Sequence, residues 1–344
     1  MQSADRTKEK LQQKSNQIKK KTQMSIPAIM EHISFLVTFF ATTYFIVILP
    51  DIVKFNLMTN QTDNPFDYRE LFYILIGFIG SIVTLKLIKY FFSDFLKRTM
   101  IEQKFRKETE EQRIDRLCNY IHASLYYTVV VLVAYYILKD SDLLPRFCGG
   151  KLRLKEFVNF WPKDVHPYHR AYLLLGFGHH FERMVSLLLH KRHTADFFVM
   201  NLHHFITFFL IVTCYFMRQL HYGIPVLFLH DIVDSPLHVA KLFRELKPMR
   251  KYMMPVFIFM YIVWIITRVI VFTSEVLNNL KIVIMKPSPI IGEYYFVSLF
   301  QILQLHVLGV LDYYWIIMIS KAMYDKIFKN KEKVGFEGEK EKLN

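Results

Sequence analysis

Two adjacent apolar stretches carry the residues of this chain that could do chemistry. The first holds His203 and His204 side by side, and the second holds His230, Asp231 and Asp234. A charged side chain at the centre of a bilayer costs at least ~2.5 kcal/mol, so such groups face a protein interior or a water-filled path and mark functional sites. On a helix, residues four apart share a face. His230 and Asp234 therefore align, and His238 extends the line by one turn. Asp231 flanks this stripe three residues before Asp234, and Lys241 lies three beyond His238. Imidazole beside carboxylate suits a general base whose tautomer the acid fixes, or a nucleophile that carries a group transiently. Two other readings use the same residues: ligands for zinc or iron, and polar groups that bond to one another and hold helices together. The H-x-x-H-H spacing of a di-iron site is absent, and no metal site is expected.

The elements that position these residues are membrane helices. Hydrophobic residues make up 53% of the 344, aromatic residues 16%, and the mean hydropathy is +0.20. A hydrocarbon core ~30 Å thick needs about 20 apolar residues in a helix. Eight stretches qualify, near 33–49, 71–92, 119–138, 169–190, 197–216, 223–243, 252–274 and 293–320, with Arg170, Arg183 and Lys241 interrupting the fourth and sixth. Segments on one side of these eight spans carry 27 Lys and Arg and those on the other side 11, which places both termini in the cytosol. The net charge of +14 comes from clusters such as Lys19-Lys20-Lys21 beside a span, so anionic lipid rather than nucleic acid is the expected partner. The first 30 residues are too polar for a cleavable leader and too acidic for a mitochondrial presequence, so the first span is expected to act as an anchor. Cys118, Cys148 and Cys214 suggest no disulfide framework.

The fold class is thus an all-α polytopic membrane protein. Residues 1–32 form a charged cytosolic tail, 33–92 hold two helices, and 93–118 form a charged linker expected to lie as a surface helix. Residues 119–320 form a six-helix unit, and 321–344 a charged cytosolic tail. The connection at 217–222 is short, so the fifth and sixth spans are expected to be antiparallel neighbours with their His and Asp residues at one depth. Pro225 falls near the expected start of the sixth span, and Pro236 should kink it. The polar stripe is not expected to continue through other spans, which argues against an ion or proton pathway.

The run His203-His204-Phe205-Ile206-Thr207, then Tyr215, Gly223, Leu229-His230-Asp231, Asp234, Leu237 and Ala240-Lys241 resembles the signature of the ceramide synthases, members of the TLC-domain superfamily. That signature runs approximately H-H-x-x-T … S-Y-x-x-N-x-x-R-x-G … H-D-x-S-D-x-x-L-E-x-A-K and lies on this chain without a gap. Ala171-Tyr172-Leu173-Leu174, Thr194-Ala195-Asp196-Phe197, Thr267-Arg268 and Leu311-Asp312-Tyr313-Tyr314-Trp315 extend the similarity. The chain departs from the pattern at Cys214 for Ser, Arg218 for Asn, His221 for Arg, Val233 for Ser, His238 for Glu and Asp312 for His.

The resemblance implies an N-acyltransferase that joins the acyl group of acyl-CoA, a co-substrate, to a sphingoid base, with no further cofactor. It implies His203 or His204 as base or nucleophile, Asp231 and Asp234 as orienting or proton-accepting carboxylates, and His230 as a second proton carrier. Lys191, Arg192, Lys241 and Arg268 are the candidate substrate-binding cations, those near the cytosolic ends of the helices being placed to hold CoA phosphates. The final Lys340-Glu341-Lys342-Leu343-Asn344 resembles a dilysine retrieval signal and implies the endoplasmic reticulum membrane. Membrane lipid, and a second copy or a partner subunit, are the remaining partners considered. A non-catalytic TLC-domain protein that binds lipid or serves as a subunit of a membrane complex is the alternative.

Overall fold

The computed structural model describes residues 26–59, 68–101, 109–144, 146–150, 166–189, 197–278 and 294–324. In chain order the long helices are α1 (Ile26–Thr59), α2 (Leu71–Thr99), α3 (Glu110–Leu138), α4 (Pro167–Leu189), α5 (Phe197–Phe216) and α6 (Leu220–Glu245). They are followed by α7 (Met253–Trp264), which runs without a break into a π-helical stretch over Ile265–Leu277, and by α8 (Tyr295–Tyr324). No strand occurs among the described residues. Six of these helical segments are long and apolar enough to cross a membrane: α1, α2, α3, α5, α7 with its π extension, and α8. The two that fall short, α4 and α6, are the stretches that Arg170 and Arg183, and Lys241, interrupt.

Large apolar side chains such as Phe39, Phe40, Phe72, Ile79, Leu87 and Leu132 point outward from α1, α2 and α3. A water-soluble protein does not leave such faces open, whereas lipid is the solvent that suits them. The molecule is an integral membrane protein. Inside, Leu202, Ile206, Leu229, Phe272, Leu305 and Leu308 pack α5, α6, the π stretch and α8 together. A second cluster, with Leu138, Leu173, Ile211, Ile224 and Phe228, joins α3 and α4 to α5 and α6. α1 lies outside these and packs through Ile48, Ile52 and Phe55 against Phe209, Val297 and Phe300.

Local chemistry explains how several of these elements begin and meet. Thr109 and Gln112 form a capping box: Gln112 N donates to Thr109 Oγ1 (3.3 Å) and Thr109 N to Gln112 Oε1 (3.0 Å). α3 therefore starts well before its apolar part. Residues 93–99 and 110–118, expected in a separate surface helix, are instead the ends of α2 and α3, bridged by Lys89–Asp115 (2.6 Å) and Lys97–Glu110 (3.3 Å). α2 crosses α4 at two glycines: a Cβ on Gly77 would strike the Leu175 carbonyl, and one on Gly178 the Ile74 carbonyl. Small residues of this kind let membrane helices approach closely.

Two polar clamps close the bundle ends. At one, Glu70 accepts from Arg170 Nε and Tyr215 Oη, each at 2.7 Å, joining the start of α2 to α4 and α5. At the other, Ile101 N donates to Glu245 O and Lys247 N to Thr99 O, each at 2.9 Å. There the buried Glu245 carboxylate lies 3.6 Å from Arg113 and 3.7 Å from Arg116.

The turn between α5 and α6 is a Schellman motif. Gln219 N donates to Cys214 O (2.7 Å) and Arg218 N to Tyr215 O (3.1 Å). Arg218 takes the left-handed position with φ 54°, a conformation that favours Gly or Asn. The asparagine of the ceramide-synthase pattern falls at this residue. α6 begins at Leu220, so Pro225 sits a turn inside the helix rather than at its start. The helix also continues through Pro236, where Ser235 Oγ lies 2.6 Å from Thr128 Oγ1 of α3 and donates to Ser124 O (3.3 Å).

Two substitutions test these points by thermal unfolding in detergent. Arg218→Asn is expected to stabilise the protein by roughly 1 kcal/mol, since the left-handed strain is relieved. Gly178→Val is expected to cost about 1–3 kcal/mol or more by forcing α2 off α4.

Candidate functional site

The site is built where α5, α6, the π stretch and α8 meet. Arg268 enters from the π stretch and is 2% exposed. Its Nη2 donates to the His230 carbonyl (2.8 Å) and to Asp234 Oδ1 (2.5 Å), and its Nη1 lies 3.5 Å from Asp312 Oδ1. The guanidinium also sits over the Trp264 ring, 4.4 Å from its centroid. Trp264 and Arg268 flank the change from α to π geometry, a feature often found at functional sites.

His230 is held by its own helix. Its Nδ1 is 2.8 Å from Val226 O, and a carbonyl only accepts, so Nδ1 carries the hydrogen. Nε2 is left as the nitrogen able to take up or give a proton, and Asp312 Oδ2 stands 3.2 Å from it. The carboxylate beside His230 thus comes from α8, while Asp234 is paired with Arg268.

His203 faces His230 across the α5–α6 contact with ring centroids 6.3 Å apart. It meets Trp315 edge to face at 5.2 Å and neighbours His204 at 5.6 Å. The Nδ1 atoms of both His203 and His204 are shielded from solvent and have no hydrogen-bond partner among the described residues. Asp231 turns the other way, toward α4, and is 1% exposed. There it accepts from Tyr172 Oη (3.1 Å) and lies 3.8 Å from His180 Nε2.

α4 brings in a second polar group that the linear reading missed. His179 contacts Ser81 Oγ through Nδ1 (2.8 Å) and stacks on Tyr126 at 3.5 Å. Arg183 donates to His122 Nδ1 (2.6 Å) and to Asn119 Oδ1 (2.8 Å) of α3. The polar stripe therefore does continue through other spans, which corrects the expectation that it stops at α5 and α6. The reason is physical: the α4 residues meet Ser81 of α2 and Asn119, His122 and Tyr126 of α3, which lie far away in sequence, and only packing gathers them. A signal was available in Gly178-His179-His180-Phe181-Glu182-Arg183, a second double histidine, inside α4.

Of the four candidate substrate-binding cations, Arg268 lies in the core as described. Lys241 sits over the Tyr120 ring, 5.9 Å from its centroid. Lys191 and Arg192 lie outside the described residues, as do the Lys-rich tails. His238 donates through Nδ1 to the Asp234 carbonyl (2.7 Å). Among the described residues no group of three His, Cys, Asp or Glu side chains could hold a metal ion.

With this geometry in view, relatives can be compared. The TLC domain matches residues 116–321, more than half of the chain, and the chain belongs to the TLC-domain family. It is 25% identical over 301 residues to ceramide synthase hyl-2 of Caenorhabditis elegans, covering 81% of this chain and 87% of that protein. It is 25% identical over 232 residues to sphingosine N-acyltransferase lag1 of Schizosaccharomyces pombe, covering 64% and 56%. Against human ceramide synthase 1 it reaches 42% over 83 residues, 24% of this chain and 22% of that one.

Removing one member of the Arg268 group should be worse than removing two. Arg268→Met leaves the buried Asp312 and the part-buried Asp234 without their cation and is expected to cost about 3–5 kcal/mol. Adding Asp312→Leu to it should restore much of that loss, measured as midpoint temperature in detergent.

Proposed function

We propose that this protein is a ceramide-synthase-like N-acyltransferase, which moves a long acyl chain from acyl-CoA to the amine of a sphingoid base. The observation that carries the reading is the meeting of His203 and His204 of α5 with His230 of α6, beside a buried carboxylate. The names of the relatives supply the substrate classes.

The chemistry follows from the substrates. The amine arrives as an ammonium and must lose a proton before its lone pair can attack the thioester carbonyl. A histidine of α5 takes that proton, or accepts the acyl group first and passes it on. The C–N bond forms, a second proton leaves the nitrogen, the C–S bond breaks, and the CoA sulfur takes a proton. His230 is the second proton carrier: its Nδ1–H is committed to Val226 O, so its Nε2 is the exchanging atom. Arg268, bonded to the His230 carbonyl, keeps that turn of α6 in place. Acyl-CoA is a co-substrate, and the reaction needs no further cofactor.

The same reading has all eight long helices crossing the membrane, α4 and α6 being tolerated there because their polar faces are covered by neighbours. Both termini are then cytosolic, Lys191 and Arg192 are the proposed binders of the CoA phosphates, and the endoplasmic reticulum is the membrane.

The test uses purified protein in liposomes with labelled acyl-CoA and sphingoid base. His203→Ala and His204→Ala together are expected to lower amide formation by at least about 100-fold, the usual weight of general acid–base groups. His230→Gln should also slow it. Variants that keep the wild-type rate would remove these histidines from the chemistry.

A further inference from the structure

Six histidines from four helices stand in a row through the interior. Ring centroids are 5.8 Å apart for His122–His179, 5.5 Å for His179–His180 and 6.5 Å for His180–His204. The row goes on at 5.6 Å for His204–His203 and 6.3 Å for His203–His230. At such spacing, ring rotation or one bridging water links neighbouring nitrogens. Two of those nitrogens are uncommitted: His179 Nε2 and His180 Nδ1 are shielded and have no hydrogen-bond partner among the described residues. His179 and His180 are 0% and 6% exposed.

We propose that this row is a proton exit, in which His180 and His179 carry a proton from the histidines of α5 toward His122 and the α3 end of the bundle. The proposal rests on the acyl-transfer reading and supplies what that reaction lacks. An ammonium and a thioester become a neutral amide and a thiol, both ordinary forms near neutral pH. The C–N bond forms, the C–S bond breaks, one of the two protons shed by nitrogen goes to sulfur, and one is left over at each turnover. That proton starts at a site walled by apolar helices.

The surroundings of the row suit transfer and give it a direction. On the inner side, His180 has Asp231 3.8 Å away and the Tyr127 ring at 6.4 Å. His179 is fixed by Ser81 of α2 and by the stacked Tyr126 of α3. On the outer side, His122 Nδ1 accepts from Arg183, whose other arm reaches Asn119. Asn119 donates to Asp115 O (2.7 Å), and the Asp115 side chain pairs with Lys89 where both are well exposed, at 36% and 48%. His122 and Asp115 are seven residues apart, two turns of α3. The Arg183 and Asn119 side chains do not themselves pass a proton, so the relay ends at His122, and these contacts mark only the way to that charged surface.

His179→Gln is the decisive variant, because the amide can keep a bond to Ser81 but cannot relay a proton. Ser81→Ala is its partner, removing that bond and keeping the imidazole. Both would be assayed in liposomes for the first turnover and for steady state, in water and in deuterium oxide. The expected result for His179→Gln is a full first turnover followed by steady state at least about tenfold slower, with an enlarged solvent isotope effect. Ser81→Ala should keep both phases. A His179→Gln protein with wild-type steady state, or one whose first turnover is lost in proportion, would overturn the relay while leaving acyl transfer standing. Wild-type protein that forms no amide would overturn the acyl-transfer reading, and the relay with it.

Discussion

The buried guanidinium of Arg268 is the interaction on which the rest of the interior depends. It lies between carboxylates of α6 and α8 and bonds the His230 carbonyl, so one side chain fixes three helical segments around the histidines. In so apolar a setting a lone charge is expensive, and a pair missing one member is more so. The arrangement is therefore a constraint: if any of the three charges moves, the others lose their compensation. The change to π geometry beside Trp264 belongs to the same constraint, since the cation rests on that ring.

Around this group the molecule keeps polar atoms inside and apolar atoms outside. The apolar faces of α1 and α2 meet lipid, while α4 and α6, which lack a run apolar enough to span, lie where neighbours cover most of their His, Asp and Glu side chains. Glycine contacts between α2 and α4 bring Ser81 close enough to hold His179. Packing of the outer helices and placement of the inner histidines are in this way one problem. The turn at Arg218 shows the same economy: its geometry sets α5 against α6, and with it the distance from His203 to His230.

Much of the fold was legible in the sequence because long apolar runs are a strong signal. Each of the eight expected stretches is helical, six of them long and apolar enough to span, and the short connection at Arg218 joins neighbouring helices as its length required. The double histidine and the His-Asp-x-x-Asp group stood out too, because ionisable residues are rare in apolar stretches, but Asp231 turns to α4, away from the stripe it was expected to flank. What could not be read was contact between helices distant in sequence. Nothing in the spacing around Asp312 says that it stands beside His230, 82 residues earlier. His179, His180 and Arg183 weakened a hydropathy signal and so registered as an interruption, although they form a second polar group. The ends of α2 and α3 were missed because the capping box at Thr109 starts a helix among charged residues.

The activity proposed for this interior is transfer of an acyl group to nitrogen. The most direct measurement is mass-spectrometric detection of N-acyl product from purified wild-type protein in liposomes, given acyl-CoA and a sphingoid base, with CoA release followed in parallel. The expected result is amide formed in step with free CoA. No amide, under conditions where a known active ceramide synthase forms it, would contradict the account and leave the His and Asp residues as internal polar contacts of a lipid-binding or subunit protein.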